Sequence, residues 1–65
     1  MINNSTTFLH TFFFAADTYS ADVIDRKVDP FVVQACCSNH MIDVIWNNGK
    51  RLYHILPEGK KIIQQ

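Results

Sequence analysis

The sequence lacks a disulfide framework. It contains only two cysteines, Cys36 and Cys37, and they are adjacent in the chain. Neighbouring cysteines rarely reach the geometry of a mutual disulfide, and free thiols are typical of a reducing compartment, so we expect a cytoplasmic protein. At 65 residues the chain is expected to form one domain, residues 1–65, and a core this small usually needs a disulfide, a metal or self-association. Without a disulfide, we favour self-association.

Long apolar runs are also missing. The longest candidate, residues 8–16, is much shorter than the roughly 20 apolar residues that span a membrane. Its length suits the core of a signal peptide, but no Lys or Arg precedes Arg26, so the positive start of a signal peptide is absent. We therefore expect neither secretion nor a membrane partner.

Neither sign of charge predominates. Six basic and six acidic residues give a net charge of zero, which argues against general attraction to polyanions. The distribution is uneven, because residues 1–49 carry a net charge of −3 and residues 50–65 a net charge of +3. The sequence therefore predicts an electrically two-sided molecule.

Residues 41–56 carry the strongest local pattern. The dipeptide Asn48-Gly49 suits a type I′ turn, and it lies between two runs rich in β-branched and aromatic residues. The pattern predicts a hairpin with a two-residue turn, which fixes the register from Asn47 opposite Lys50 to Ile42 opposite Ile55.

Both faces of this predicted hairpin are largely apolar. The face expected to lie on the core carries Ile42, Val44, Trp46, Arg51, Tyr53 and Ile55. The other face carries Met41, Asp43, Ile45, Leu52, His54 and Leu56. Because a sheet with one face in water alternates apolar and polar residues, we expect both faces to be covered.

The remaining chain predicts an α+β fold with a small antiparallel sheet of three to five strands and one short helix. Residues 7–16 are interpreted as a strand with Phe8, His10, Phe12 and Phe14 on one side. The middle allows a helix at 20–27 before a strand at 31–37. It equally allows a strand at 21–28 before a helix at 30–38, and we favour this order because Asp29-Pro30 is a good helix start. A turn at 56–59 is followed by a short last strand at 60–64.

The candidate metal ligands are Cys36, Cys37 and His40, with His10 and His54 as distant partners. Zinc requires three or four converging ligands, and this spacing is not a zinc pattern. Cys36 and His40 share a face only if they lie on a helix. We expect both cysteines to be packing residues, with no metal and no cofactor.

Asp43 and His54 form a second candidate site, because the hairpin register places them opposite each other. A carboxylate beside an imidazole is part of a catalytic triad, but the sequence contains no nucleophile motif to complete one. We interpret the two residues as a structural cross-strand pair and expect no enzymatic activity.

A third candidate is the basic end of the chain. Its cations and aromatic residues suit single-stranded nucleic acid through phosphate contacts and stacking, although a neutral chain is unlike a basic binder. The residues of this alternative are Trp46, Lys50, Arg51, Tyr53, Lys60 and Lys61.

Our principal hypothesis is a non-enzymatic interaction module that self-associates and binds or regulates a larger protein. The two apolar faces of the hairpin motivate it. The predicted contact residues are Met41, Ile45, Leu52 and Leu56, or the face formed by Phe8, Phe12 and Phe14. A nucleic-acid-binding module is the first alternative, and a small metal-binding protein that uses Cys36, Cys37 and His40 is the second.

Overall fold

The computed structural model describes residues 1–64, which form four helices and a three-stranded antiparallel sheet. The α+β class is therefore confirmed, but the expectation of a single helix is wrong. In chain order the elements are α1 (Ser5–Phe13), β1 (Thr18–Ser20), α2 (Ala21–Lys27), α3 (Pro30–Ser38), β2 (Ile42–Asn47), β3 (Lys50–Ile55) and α4 (Pro57–Ile63).

The hairpin prediction is confirmed in its turn and its register. Asn48 and Gly49 both have positive φ, 53° and 77°, as a type I′ turn requires. β2 and β3 pair from Asn47 opposite Lys50 to Ile42 opposite Ile55. β1 pairs antiparallel with the other side of β3, so the strand order is β1-β3-β2.

The predicted strand at 7–16 is wrong, because these residues form α1. The Asn4 side chain caps the helix by accepting a 2.8 Å hydrogen bond from the Thr7 N–H. Burial follows the helical spacing rather than the alternation of a strand. The buried residues are Phe8, Leu9, Phe12 and Phe13, whereas Phe14 is 78% exposed.

The middle of the chain forms both of the helices that were predicted as alternatives, α2 and α3. Ser20 caps α2 through the Val23 N–H, and Asp29 caps α3 through the Phe31 N–H. The strands expected at 21–28 and 31–37 are therefore both wrong. The strand expected at 60–64 is also wrong, because Pro57 occupies the first turn of α4 and starts a helix there.

The helices pack on one face of the sheet. Buried residues of α1, α2 and α3 form a single cluster with Ile42, Tyr53 and Ile55, and Ile62 and Ile63 of α4 pack against it. The opposite face carries Ile45, Leu52 and Leu56, which are partly exposed and do not pack against this core. The expectation that both faces are covered is therefore wrong.

Within residues 1–64, no helix combines the length and the apolarity needed to cross a bilayer.

Candidate interaction surface

β2 forms one edge of the sheet over its six residues, whereas the opposite edge is the three-residue strand β1. In an antiparallel hairpin, alternate residues direct their peptide groups toward the paired strand. The two-residue turn makes Asn47 and Lys50 a hydrogen-bonded pair, so the odd-numbered residues of β2 face β3. The peptide groups of Ile42, Val44 and Trp46 consequently point outward, away from the sheet.

Most of β2 is apolar without contributing to the core. Val44, Ile45 and Trp46 are consecutive, yet none of them belongs to the buried cluster. Val44 is 37% exposed and Trp46 is 69% exposed, while Ile45 is partly exposed on the other face. The sequence-based prediction that Val44 and Trp46 lie on the core is therefore wrong. The helices cover only the Ile42 end of β2.

Two further apolar residues continue this surface on the open face. Leu52 lies directly opposite Ile45, and Leu56 follows β3. Both are partly exposed and outside the packed core. We refer to Val44, Ile45, Trp46, Leu52 and Leu56 as the sheet surface.

The other residues predicted to contact a partner do not belong to the sheet surface. Met41 packs against the core, although its position next to β2 suggested the open face. Phe8 and Phe12 are buried, with ring centroids 6.0 Å apart in an edge-to-face arrangement. Phe8, Phe12 and Phe14 therefore do not share a face. Helical spacing places Phe8 and Phe12 on the buried side of α1 and Phe14 on an exposed side.

Asp43 and His54 lie opposite each other, as the register predicted. Their side chains form no hydrogen bond or ion pair in the described structure. The Asp43 Oδ1 instead accepts a 2.8 Å hydrogen bond from the outward N–H of Val44, and the buried Nδ1 of His54 has no partner. The interpretation of an interacting pair is thus not supported by the side-chain geometry, because the Asp43 carboxylate caps the edge of β2.

A polar cluster that the sequence did not reveal joins α2 to β3. The Tyr53 hydroxyl donates a 2.8 Å hydrogen bond to Asp25, and Arg51 forms an ion pair with the same carboxylate. Burial, and then the bond to Asp25, raises the pKa of Tyr53 to about 12. The spacing of Arg51 and Tyr53 on one strand face is visible in the sequence, but Asp25 lies far away in the chain.

Asp25 and Tyr53 of this cluster line one side of a cavity of about 470 Å³ between α2, α3 and the sheet. Asp25, Arg51 and Tyr53 satisfy one another, so they leave no unpaired charge directed at a ligand. The rest of the lining is largely apolar and includes Val33, Cys37 and Val44. The apolar lining of the cavity therefore adjoins the core-facing side of β2 at Val44.

The basic residues of the nucleic-acid hypothesis do not form one available surface. Arg51 pairs with Asp25, Lys60 pairs with Asp17, and Lys61 pairs with Glu58. Tyr53 is 4% exposed, which prevents base stacking on its ring. Of the six residues, only Trp46 and Lys50 are both exposed and outside any ion pair of residues 1–64.

Cys36, Cys37 and His40 are not arranged as a metal site. α3 ends at Ser38, and His40 has a positive φ of 58°, so it does not continue the helical face of Cys36. Over residues 1–64, no group of three His, Cys, Asp or Glu side chains is placed to hold a metal ion. Burial raises the pKa of both thiols, which keeps them protonated and weakly nucleophilic.

Comparison with known proteins gives no similarity to build on: no family model matches the chain, and no curated protein or solved structure matches it significantly. The functional argument therefore rests on the residues themselves.

Proposed function

We propose that this protein is a small, non-enzymatic, cytoplasmic interaction module, which self-associates and binds or regulates a larger protein through the sheet surface. The observation that carries the proposal is the run Val44-Ile45-Trp46, which is apolar, lies outside the core and occupies an edge strand. An edge strand of this kind tends to pair with another chain unless it is protected.

The protection on this edge is slight. Natural edge strands are shielded by lysines, prolines, bulges or covering elements. β2 contains no proline and no lysine, and its one charged residue is Asp43. Trp46 is 69% exposed, so the packing of the single chain does not account for a tryptophan at this position. Contact with another protein chain gives a physical reason for this residue choice.

The chemistry of the polar groups supports binding rather than catalysis. A nucleophilic cysteine needs a depressed pKa, whereas burial raises the pKa of Cys36 and Cys37. The carboxylate of Asp25 is engaged by Arg51 and Tyr53, so it is not positioned as a base.

Self-association is tested by measuring the molar mass with size-exclusion chromatography and light scattering from low to high micromolar concentration. We expect the wild type to exceed its chain mass of 7.5 kDa, at about twice that value or more. Ile45→Ser and Trp46→Ser should weaken the association, because each makes the exposed part of β2 more polar.

Phe31→Ser is the matched control, because Phe31 is 80% exposed on α3 and lies outside the sheet surface. It should leave the molar mass unchanged. A wild-type protein that is monomeric at every concentration would contradict the proposed self-association. Equal loss of association in Phe31→Ser and Trp46→Ser would contradict the assignment to the sheet surface.

A further inference from the structure

We infer that two copies of this chain join through antiparallel pairing of their β2 strands, with a two-fold axis at Val44, to form one six-stranded sheet. This inference rests on the proposed self-association and specifies its geometry. Its occupant is a second copy of the chain rather than another protein.

The outward peptide groups of β2 provide the first argument. Those of Ile42, Val44 and Trp46 point away from β3, and they are spaced two residues apart as a strand ladder requires. A two-fold axis at Val44 places Val44 opposite its own copy and Trp46 opposite Ile42 of the second copy. All three outward residues then exchange backbone hydrogen bonds with the second strand.

The side chains are compatible with the same register. On the helix-covered face, Trp46 lies beside Ile42 of the second copy. Because Ile42 is 2% exposed, the indole, which is 69% exposed in the single chain, meets the edge of the helix layer that buries Ile42. On the open face, Ile45 lies beside Asp43 of the second copy. No pair of like charges is opposed within β2, because Asp43 is its one charged residue.

Charge at the two ends of the strand is also complementary. With this register Asn47 lies opposite Met41 of the second copy, so each hairpin tip is next to the end of the other copy's α3. The carboxyl end of a helix carries partial negative charge, and the last turn of α3 contains no basic residue. Lys50, which pairs with Asn47 and is in no ion pair of residues 1–64, places a positive charge one strand away from that helix end.

The other edge of the sheet is a poorer choice. β1 has three residues, and Tyr19 is in edge-to-face contact with Phe12 of α1, with ring centroids 5.0 Å apart. β2 offers twice as many residues for pairing.

In the single chain, the Asp43 side chain occupies one of the outward backbone donors of β2. Its carboxylate accepts the Val44 N–H at 2.8 Å, which is the donor at the two-fold axis. Pairing of the two strands therefore displaces the carboxylate into solvent. Asp43→Ala should strengthen the association, by about tenfold for the loss of one charge-assisted competing hydrogen bond.

Amide hydrogen exchange measured over a concentration series tests the geometry in the wild-type chain. We expect exchange at Val44 and Trp46 to slow by at least about tenfold on association, because their outward N–H groups become hydrogen-bonded to a buried strand, whereas in the single chain the Val44 N–H is bonded only to the exposed Asp43 carboxylate. The Ile45 N–H is the internal control, since it faces β3 in the single chain and should be protected at all concentrations.

Val44→Pro provides the matched variant. It removes an outward donor without removing a bond to β3, and proline is tolerated at such edge positions. We expect a monomer that keeps its circular dichroism spectrum. If this variant fails to fold, the exchange experiment on the wild type decides alone.

The outcomes separate this inference from the proposed function. Association that persists in Val44→Pro, or that leaves the Val44 and Trp46 amides exchanging rapidly, overturns the β2 pairing while self-association stands. A wild-type monomer at all concentrations overturns both. Loss of association in Val44→Pro, together with slowed exchange at Val44 and Trp46, supports the pairing.

Discussion

The hydroxyl of Tyr53 donates a 2.8 Å hydrogen bond to the Oδ1 of Asp25, which ties helix α2 to the central strand of the sheet. Tyr53 is 4% exposed, so its hydroxyl depends on partners within the protein, and it also accepts a 3.4 Å hydrogen bond from Arg51 Nη1. The ring contributes to the core while the hydroxyl orients α2. Because Tyr53 lies on the same face as Val44, this contact also fixes the helix layer beneath the candidate interaction surface.

Removal of the Tyr53 hydroxyl should destabilise the fold. We expect Tyr53→Phe to lower the free energy of unfolding by about 1–2 kcal/mol, because a hydrogen bond to a charged acceptor is lost. Chemical denaturation checks this value. Tyr19→Phe is the control, since Tyr19 is 40% exposed and its hydroxyl makes no hydrogen bond in the described residues; an equal loss in both variants would contradict the role assigned to Tyr53.

The same residue predicts a dependence of stability on alkaline pH. Burial raises the pKa of Tyr53 to about 12, above its ordinary value of 10.0. Its contribution is therefore full below about pH 10 and is lost as the pH rises from about 10 through about 12. The difference in unfolding free energy between wild type and Tyr53→Phe should shrink over this interval. A difference that stays constant with pH would show that Tyr53 ionises equally in the folded and unfolded chains.

Gly59 should resist substitution by alanine although it lies inside a helix. Alanine would normally gain about 1 kcal/mol there through its higher helix propensity. A Cβ atom at position 59 would overlap the Met41 carbonyl oxygen and lie 2.8 Å from Ile55 Cγ1, and that carbonyl also accepts the Leu56 N–H. We expect Gly59→Ala to cost about 1–3 kcal/mol in thermal or chemical unfolding.

Lys61→Ala in the same helix serves as the control for Gly59→Ala. It removes an exposed ion pair with Glu58 and should change stability by less than about 0.5 kcal/mol. A stabilised Gly59→Ala protein would mean that α4 does not pack this closely against Met41 and Ile55.

His40 should be replaceable by glycine with a gain in stability. α3 ends in a Schellman arrangement, in which the N–H groups of His40 and Met41 donate to Cys37 and Cys36. His40 has a φ of 58° at the position where glycine is usual, so His40→Gly should raise the unfolding free energy by about 0.5–1 kcal/mol.

Asn39→Gly is the comparison for His40→Gly. Asn39 has a φ of −93°, so glycine relieves no strain there and should lower stability through added chain entropy. If both variants lost stability equally, the positive φ at His40 would not be costly.

The hairpin was predictable because its determinants are local. Asn48-Gly49 fixes the turn, and a two-residue turn fixes every pair from Asn47 and Lys50 to Ile42 and Ile55. β1 had no such signal, since a strand of three residues is defined by its pairing with β3 rather than by its own sequence.

The helices were missed for different physical reasons. In α1, phenylalanines at 8, 12 and 14 fit strand alternation, but Phe13 and Leu9 are also buried and complete a helical stripe. In the middle of the chain, Ser20 and Asp29 each cap a helix, so the two signals were compatible rather than exclusive. Pro57 fits the start of a helix as well as a turn.

Only part of the sheet surface could be predicted from the sequence. Ile45, Leu52 and Leu56 share a face through the register, and this followed from the sequence. The exposure of Val44 and Trp46 did not follow, because it depends on how far the helices extend over β2. The Asp43 bond to Val44 was equally hidden, since the register placed His54 as its nearer partner.

Trp46 fluorescence tests the central claim most directly, because Trp46 is the single tryptophan of the chain and is 69% exposed in the isolated copy. We predict that its emission shifts to shorter wavelength as the wild-type concentration rises through the micromolar range, in step with the molar mass. Val44→Pro should keep the emission of an exposed indole at every concentration. An emission spectrum of the wild type that remains that of an exposed indole while the molar mass doubles would contradict association through β2.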